Sequence, residues 1–221
     1  MNAKKLPDHI AGAIFDLDGT LLDSMGVWGQ IDIDFLGRRG ISVPPDYQTT
    51  IAPMKAMDIA VYTIRRFGLS DTPEGLCREW MEMAHEEYAY HLPLKPFALE
   101  YVDLLAKRGV KMAVATSSDR TLVEPALKRT GLADRISVLV TVSDVARGKG
   151  FPDVYLRAAE IIGIEPARCA VFEDVLTCVE GAKAGGFFAV GVYEAAVKHP
   201  PGSMESASDL YIRSFEELLG E

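Results

Sequence analysis

The sequence predicts an α/β fold, a doubly wound parallel sheet with an inserted all-α domain. Short apolar runs recur along the chain and end in polar residues, and helix-period segments closed by glycine lie between the later runs. Residues 24–93 interrupt this rhythm with helical patterns and no convincing strand. Runs that are apolar at successive positions suit strands covered on both faces, as in a parallel sheet. Strands and helices in alternation then predict an open, doubly wound sheet.

The predicted strands are the apolar runs, taken in chain order. They cover residues 11–15, 110–115, 136–140, 169–172, 187–192 and 209–212. Asp16, Thr116 and Glu173 are among the polar residues that follow these runs. In doubly wound sheets, ligands bind at the carboxyl ends of the strands. That edge of the sheet is therefore where we expect the functional site.

The predicted helices between these strands carry apolar residues three and four positions apart. They lie at residues 99–106, 122–127 and 154–162, and a fourth ends at Gly185. The first three are also closed by glycines, at Gly109, Gly131 and Gly163. Glycine just past a helix is the usual stop signal, so each assignment has a boundary as well as a period.

The interval after the first strand predicts an inserted helical domain. Its helical patterns cover residues 27–36, 56–67 and 74–90, separated by loops at residues 43–45 and 70–73. Pro93 and Pro96 mark its far end, because proline interrupts helices. The predicted division is a core domain of residues 1–23 and 94–221 and a helical domain of residues 24–93.

The composition excludes several classes of function. The formal net charge is −9, which disfavours nucleic acid and anionic lipid as partners. The three cysteines are too scattered for a disulfide framework, and the four histidines show no ligand spacing with them that would indicate zinc. No stretch approaches the ~20 apolar residues that cross a bilayer. We therefore predict a cytoplasmic protein without a nucleic-acid or membrane partner.

The segment AIFDLDGTLLDS, residues 13–24, places Asp16 and Asp18 where the first predicted strand ends. Residues two apart in an extended strand point the same way, so both carboxylates start on one side. One interpretation is a pair of solvated turn residues, which fits many Asp-x-Asp-Gly strings. The other is a pair of functional carboxylates, and the remaining strand ends bear on the choice.

Those other strand ends favour a functional site. Residues 116–118, Thr-Ser-Ser, offer hydroxyl and backbone N–H groups ahead of a helix, which suits anion binding. Glu173 and Asp174 add carboxylates at the same edge, and Lys149 lies in RGKGFPD just before another helix. Together these groups form a recognisable set: ligands for Mg²⁺, donors for phosphate oxygens and one nucleophile. Solvation alone does not explain all of these placements.

Four segments resemble, in order, the motifs of the haloacid dehalogenase superfamily, in the subclass with a helical cap inserted after the first strand. FDLDGTLLDS resembles motif I, VATSS motif II, the lysine of GKGFPDVYLRAA motif III and VFEDVLTCVEGAKAGG motif IV. The likeness covers about residues 10 to 193. It implies a Rossmann-like core with an all-α cap, and an Mg²⁺-dependent phosphatase that acts on a small phosphorylated metabolite.

The resemblance implies covalent phosphoryl transfer. Asp16 would attack phosphorus and become an aspartyl phosphate. Asp18 would protonate the leaving alkoxide and then take a proton from the water that hydrolyses the intermediate. Mg²⁺ would be held by Asp16, the main-chain oxygen of Asp18 and Asp174, with Glu173 as a further candidate ligand or a neighbour of the ligands.

The resemblance also assigns the phosphate-binding groups. Thr116, the amide of Ser117 and the ammonium group of Lys149 would hold the non-transferred oxygens. The acid at Asp18 favours phosphate esters, because relatives that cleave carbon–halogen or carbon–phosphorus bonds lack an acid there.

Two other functions compete with the phosphatase. A β-phosphoglucomutase-like mutase passes the phosphoryl group to a sugar hydroxyl instead of water, but mutase relatives carry a cap histidine at about the place of Trp28. Receiver domains of signalling systems combine similar residues, but they are shorter and take their aspartate from a middle strand. The sequence does not encode the physiological substrate or the oligomeric state, and it is compatible with a monomer.

Overall fold

The computed structural model describes residues 4–51 and 54–220. The chain divides into two units: one runs to Met25 and resumes at Leu92, and the other is Gly26–His91. The first unit contains the sheet, and the described part of the second unit is built from helices.

Within the described part of the chain, six strands form a single sheet. They are β1 (Gly12–Phe15), β2 (Lys111–Thr116), β3 (Val138–Thr141), β4 (Cys169–Glu173), β5 (Phe188–Val192) and β6 (Leu210–Ile212). The strand order is β3-β2-β1-β4-β5-β6, and all neighbouring strands are parallel. The predicted fold class is confirmed, and each strand begins and ends within two residues of its predicted bounds.

The helices follow the predicted patterns with a few differences. In chain order they are α1 (Val27–Gly37), α2 (Tyr47–Ile51), α3 (Ala56–Phe67), α4 (Pro73–Glu86), α5 (Ala98–Lys107), α6 (Arg120–Arg129), α7 (Asp153–Ile162), α8 (Leu176–Ala184) and α9 (Ser203–Ala207). The helix predicted over residues 74–90 changes at Glu87–His91 into a π-helical turn. Among residues 4–51 and 54–220, no helix combines the length and apolar character needed to span a membrane.

The central strands are covered on both faces, as their continuous apolar character predicts. On one face, Phe15 stacks on Phe172 with ring centroids 4.6 Å apart, and both rings lie against Phe215. On the other face, Ile14 belongs to a buried cluster that includes Val154 of α7. This packing fixes the ends of β1 and β4 with respect to each other.

Candidate active site

The candidate site lies where β1, β2 and β4 end side by side. Phe15 pairs with Val114 of β2 and with Phe172 of β4 in parallel register. The next residue, Asp16, is 5% exposed, and its backbone N–H donates to the carbonyl of Phe172 at 3.0 Å. The three strand ends therefore meet at one edge of the sheet, with Asp16 in the middle.

Lys149 reaches this edge from the loop between β3 and α7. Its Nζ lies 2.5 Å from Asp16 Oδ1 and 2.6 Å from Glu173 Oε1, and its side chain is buried. Burial opposes a charged lysine, but the two carboxylates outweigh burial and raise the pKa of Lys149, so the amine is protonated at neutral pH. The ammonium group thus ties the carboxylate that follows β1 to the carboxylate that ends β4.

The loop that carries Lys149 lies directly against α8 at Gly181. A Cβ at that position would lie 2.4 Å from the main-chain oxygen of Lys149 and 2.9 Å from the carbonyl carbon of Gly150. A packed interior has no room for such an approach. Glycine at position 181 is therefore what allows the lysine loop to pack on the helix.

Tyr155 on α7 is a partner of Glu173 that no sequence pattern indicates. Its hydroxyl donates to Glu173 Oε1 at 2.7 Å, the same oxygen that Lys149 contacts. Burial raises the pKa of Glu173 to about 8, although Lys149 opposes the rise. One oxygen of this candidate metal ligand is thus occupied by Lys149 and Tyr155. A tyrosine on an amphipathic helix looks like packing in sequence, so only the tertiary contact reveals its role.

Asp18 is half-buried and is held by two serine hydroxyls. Ser24 Oγ donates to Asp18 Oδ1 at 2.7 Å, and Ser118 Oγ donates to Asp18 Oδ2 at 2.6 Å. Because each carboxylate oxygen has a hydroxyl donor, the orientation of the group is set. Ser118 belongs to the hydroxyl cluster that the sequence indicates, whereas Ser24 carries no such signal.

Gly19 allows Asp174 to approach the Asp-x-Asp turn. Its φ is +85°, and a Cβ there would lie 2.3 Å from Asp174 Oδ2. Both the left-handed backbone and the lack of space require glycine. Asp174, which follows β4, therefore has its carboxylate directly against the turn that carries Asp18.

The predicted phosphate-binding residues Thr116 and Ser117, at the end of β2, differ in exposure. Thr116 is fully buried, and its hydroxyl oxygen accepts from the N–H of Ser118 at 3.0 Å. Ser117 is exposed. Asp119 caps α6 by accepting from the N–H of Thr121 at 2.8 Å, so the turn leads directly into the helix. A ligand at this turn would meet the start of α6.

Three buried carboxylates form the part of the site that suits a metal ion. One ligand oxygen from each of Asp16, Glu173 and Asp174 lies within 4.8 Å of the others. Oδ2 of Asp16 and Oδ2 of Asp174 are buried and have no hydrogen-bond partner among the residues that the structure describes. Leaving such oxygens unpaired is costly unless a cation or donor meets them. Carboxylate oxygens in this arrangement fit a hard divalent cation.

The electrostatics of the site agree with that fit. Lys149 supplies one positive charge against the three carboxylates. Burial raises the pKa of Asp174 to about 7, and Asp16 adds to the rise. Burial also raises the pKa of Asp16, although Lys149 opposes this. A bound divalent cation would favour the ionised form of these groups.

Comparison with known proteins defines the class to which this site belongs. The family model of haloacid dehalogenase-like hydrolases matches residues 10–186. A validoxylamine A 7'-phosphate phosphatase from Streptomyces hygroscopicus subsp. limoneus is 30% identical over 186 residues, which cover 81% of this chain and 84% of the relative. A fructose-1-phosphate phosphatase from Escherichia coli (strain K12) is 30% identical over 189 residues, which cover 84% of this chain and 97% of the relative.

Solved structures support the same fold. A candidate β-phosphoglucomutase from Thermotoga maritima aligns with a TM-score of 0.85 and 23% identity, over 95% of this chain and 97% of that chain. The chain belongs to the haloacid dehalogenase-like hydrolase family. The predicted enzyme class, a phosphatase of this family, is confirmed by the family match together with relatives that are themselves named phosphatases.

Proposed function

We propose that the protein is an Mg²⁺-dependent phosphatase that hydrolyses a small phosphorylated metabolite through an aspartyl-phosphate intermediate. The observation that carries this proposal is the state of Asp16. One of its oxygens is held by Lys149, and the other is buried without a hydrogen-bond partner among the described residues. Such an oxygen is available to a cation or to phosphorus, and Asp16 and Asp174 each have a ligand oxygen within 4.8 Å of the other.

Asp16, Asp174 and the main-chain oxygen of Asp18 would hold the Mg²⁺ ion, with the remaining oxygen of Glu173 nearby. When bound, the ion supplies positive charge that lets an anionic nucleophile approach a phosphate dianion. Lys149 adds a fixed positive charge for the phosphate oxygens. Thr116 and the N–H of Ser117 add hydrogen-bond donors at the end of β2.

The first chemical step forms a bond between a carboxylate oxygen of Asp16 and phosphorus. The bond between phosphorus and the leaving oxygen breaks, and Asp18 gives its proton to that oxygen, so an alcohol departs. The two serine hydroxyls that hold Asp18 keep its carboxyl group in one orientation for this transfer.

The second step hydrolyses the aspartyl phosphate. Asp18, now ionised, takes a proton from water while the water oxygen bonds to phosphorus. The bond between phosphorus and Asp16 breaks, which restores the free carboxylate and releases inorganic phosphate. The proton that Asp18 takes from water restores its acid form, so the cycle closes without any further reactant.

The substrate class follows from the relatives. Two of them are named for validoxylamine A 7'-phosphate and fructose 1-phosphate, which are both phosphate esters of small polyhydroxylated molecules. We therefore propose a phosphorylated sugar or sugar-like alcohol as the substrate. A mutase is the weaker alternative, because Trp28 stands at about the position where mutase relatives carry a cap histidine.

Phosphate release from a panel of sugar and polyol phosphates, with Mg²⁺ or with EDTA, tests the proposal. We expect Mg²⁺-dependent release by the wild type and a loss of at least about 10³-fold in Asp16→Asn. Asp18→Asn should turn over about 10²–10⁴-fold more slowly, and with an ester that has a good leaving group, such as p-nitrophenyl phosphate, it should accumulate a hydroxylamine-labile phosphoryl label. A wild type that releases no phosphate from any ester, or an isomeric sugar phosphate as the product, would overturn it.

We also place this activity in the cytoplasm. Cys77, Cys169 and Cys178 are free thiols, which is typical of a reducing compartment. A disulfide between any two of them in the purified native protein would contradict this placement.

A further inference from the structure

His199 makes a contact with the candidate metal site that the proposed mechanism does not use. It lies in the loop between β5 and α9, and its Nε2 is 2.8 Å from the main-chain oxygen of Asp174. A carbonyl oxygen accepts hydrogen bonds, so Nε2 carries the proton and donates it. The contact needs only this N–H and therefore does not depend on the charge of the imidazole.

The loop that carries His199 is anchored where it leaves β5. At its start, the N–H of Tyr193 donates to the carbonyl of Ile212 at 2.8 Å. Glu194 follows, is buried, and pairs with Lys95. Beyond His199, the N–H of Ser203 donates to the carbonyl of Pro200 at 3.1 Å, a local bond at the start of α9. The imidazole is thus presented to Asp174 from a segment whose start is tied to β6 and to Lys95.

The carboxylate of Asp174 depends on its backbone for its position. Its Oδ2 has no hydrogen-bond partner in the described part of the chain, so no hydrogen bond from another residue described there holds that oxygen in place. An aspartate side chain is short, and a displacement of its peptide therefore moves the carboxylate with it. On one side β4 holds the chain through the register Glu173↔Gly191, and on the other side His199 holds the Asp174 carbonyl.

We propose that His199 is a positioning residue for metal binding: by holding the Asp174 peptide, it sets where the Asp174 carboxylate meets the cation. This inference rests on the proposed Mg²⁺ site. Partners that orient metal ligands are typically worth about 10–100-fold in metal affinity. His199 acts through Asp174 and is not itself a ligand, so excess metal should compensate for its loss.

Calorimetric titration of the full chain with Mg²⁺ alone, without substrate, tests the proposal. We expect His199→Leu to weaken Mg²⁺ binding about 10-fold, and His199→Gln, which keeps an N–H donor at similar reach, to recover affinity to within about threefold. Lys198→Ala, a change at the exposed neighbouring residue, should bind like the wild type. With p-nitrophenyl phosphate, kcat of His199→Leu should recover at saturating Mg²⁺, while KM for the ester stays unchanged.

The outcomes separate this proposal from the proposed function. If the wild type binds Mg²⁺ and both His199 variants bind it equally well, the positioning role is wrong and the phosphatase stands. The same holds if Lys198→Ala weakens binding as much as His199→Leu. If the wild type binds no Mg²⁺ at all, the proposed metal site fails, and the role of His199 fails with it. Melting temperatures in EDTA should be alike for all variants. A variant that binds Mg²⁺ weakly and also melts at a lower temperature has lost stability, and its weak binding would then not support the positioning role.

Discussion

The sheet-containing unit and the helical unit bury their polar groups in different ways. At the sheet edge, Asp16, Lys149, Glu173 and Asp174 are all buried within one network. Among the described residues of the helical unit, no charged side chain is buried. The buried Thr63 hydroxyl is satisfied within its own helix and by Tyr47, and the buried Nε1 of Trp80 has no hydrogen-bond partner there. Buried charge is costly to maintain, so its concentration at one edge supports the proposal that the chemistry takes place there.

The helical unit instead carries an apolar cavity of about 230 Å³. The residues that line it are Trp28, Ile31, Asp32, Ile51, Ala56, Ile59 and Trp80. Its ion pairs lie nearer the surface, as between Arg39 and Glu79 at 2.7 Å. This unit is therefore held mainly by apolar packing. We expect substitutions in the helical unit to change stability alone, and substitutions at the sheet edge to change catalysis as well.

The largest effect is expected for Lys149→Met. Removing one partner of a buried ion pair costs about 3–5 kcal/mol of stability, and losing a fixed donor to the phosphate should lower kcat by about 10²–10³-fold. Urea unfolding in EDTA and phosphate release with Mg²⁺ measure the two effects. Lys183→Met, which removes the partly exposed pair with Asp209, is the control and should cost no more than about 1 kcal/mol. If the two variants lost the same stability and the same kcat, the buried network at the sheet edge would have no special role.

Gly181→Ala should come next, because its new methyl group would strike the backbone of the loop that carries Lys149. Overpacking of this kind costs about 1–3 kcal/mol, and the displaced lysine should lower kcat. Gly148→Ala is a matched control from the lysine loop itself, since a Cβ there meets nothing within 4 Å. Measured kcat values that are the same for both alanine variants would show that the close packing at Gly181 does not position Lys149.

A pair of tyrosine variants compares the units directly. Tyr155→Phe and Tyr47→Phe each remove a buried hydrogen bond, to Glu173 and to Thr63, and each should cost about 1 kcal/mol of stability. Only Tyr155→Phe should also lower kcat, by less than about tenfold, because it loosens the carboxylate that holds Lys149. Steady-state kinetics and urea unfolding on the same preparations provide the comparison. If kcat fell by the same factor in Tyr47→Phe, the fall in Tyr155→Phe could not be assigned to Glu173.

The smallest effect is a pH dependence in the helical unit, because Asp32 is only half-buried and solvent screens its charge. Burial raises the pKa of Asp32 to about 6. The folded state then binds this proton more tightly than the unfolded chain, so stability should fall as pH rises from about 4 to about 6 and level off above that. Asp32→Asn should remove this slope. The urea midpoints of wild type and Asp32→Asn are measured across this pH range and subtracted, so the titration of the other carboxylates cancels. A difference in midpoint that does not change with pH would exclude the effect.

The regular elements were predictable because their signals are local. The continuous apolar runs of β1 and β4 and the glycine that follows α7 lie within a few residues of one another in the chain. The short helices α2 and α9 escaped prediction because five residues are too few to show a helical period. The π-helical turn at Glu87–His91 escaped it because the residues keep their helical composition while the backbone geometry changes.

The carboxylates and the lysine of the candidate site were also predictable, since each lies at or near the end of a strand or shortly before a helix. The groups that hold them were not. Tyr155 meets Glu173 across 18 residues of chain, and His199 meets Asp174 across 25. The need for glycine at position 181 is equally invisible in sequence, because it depends on the path of a loop some 30 residues away.

Residue order along this chain was enough to establish a parallel α/β sheet, a helical interruption and an acidic strand edge with one lysine, because periodicity and strand ends are properties of neighbouring residues. Folding decided which oxygen Lys149 binds, which hydroxyls orient Asp18 and which carboxylate oxygens are left for a cation. Those outcomes depend on distances of a few ångströms between segments far apart in sequence, and such distances are set only when the strands pair and the helices pack.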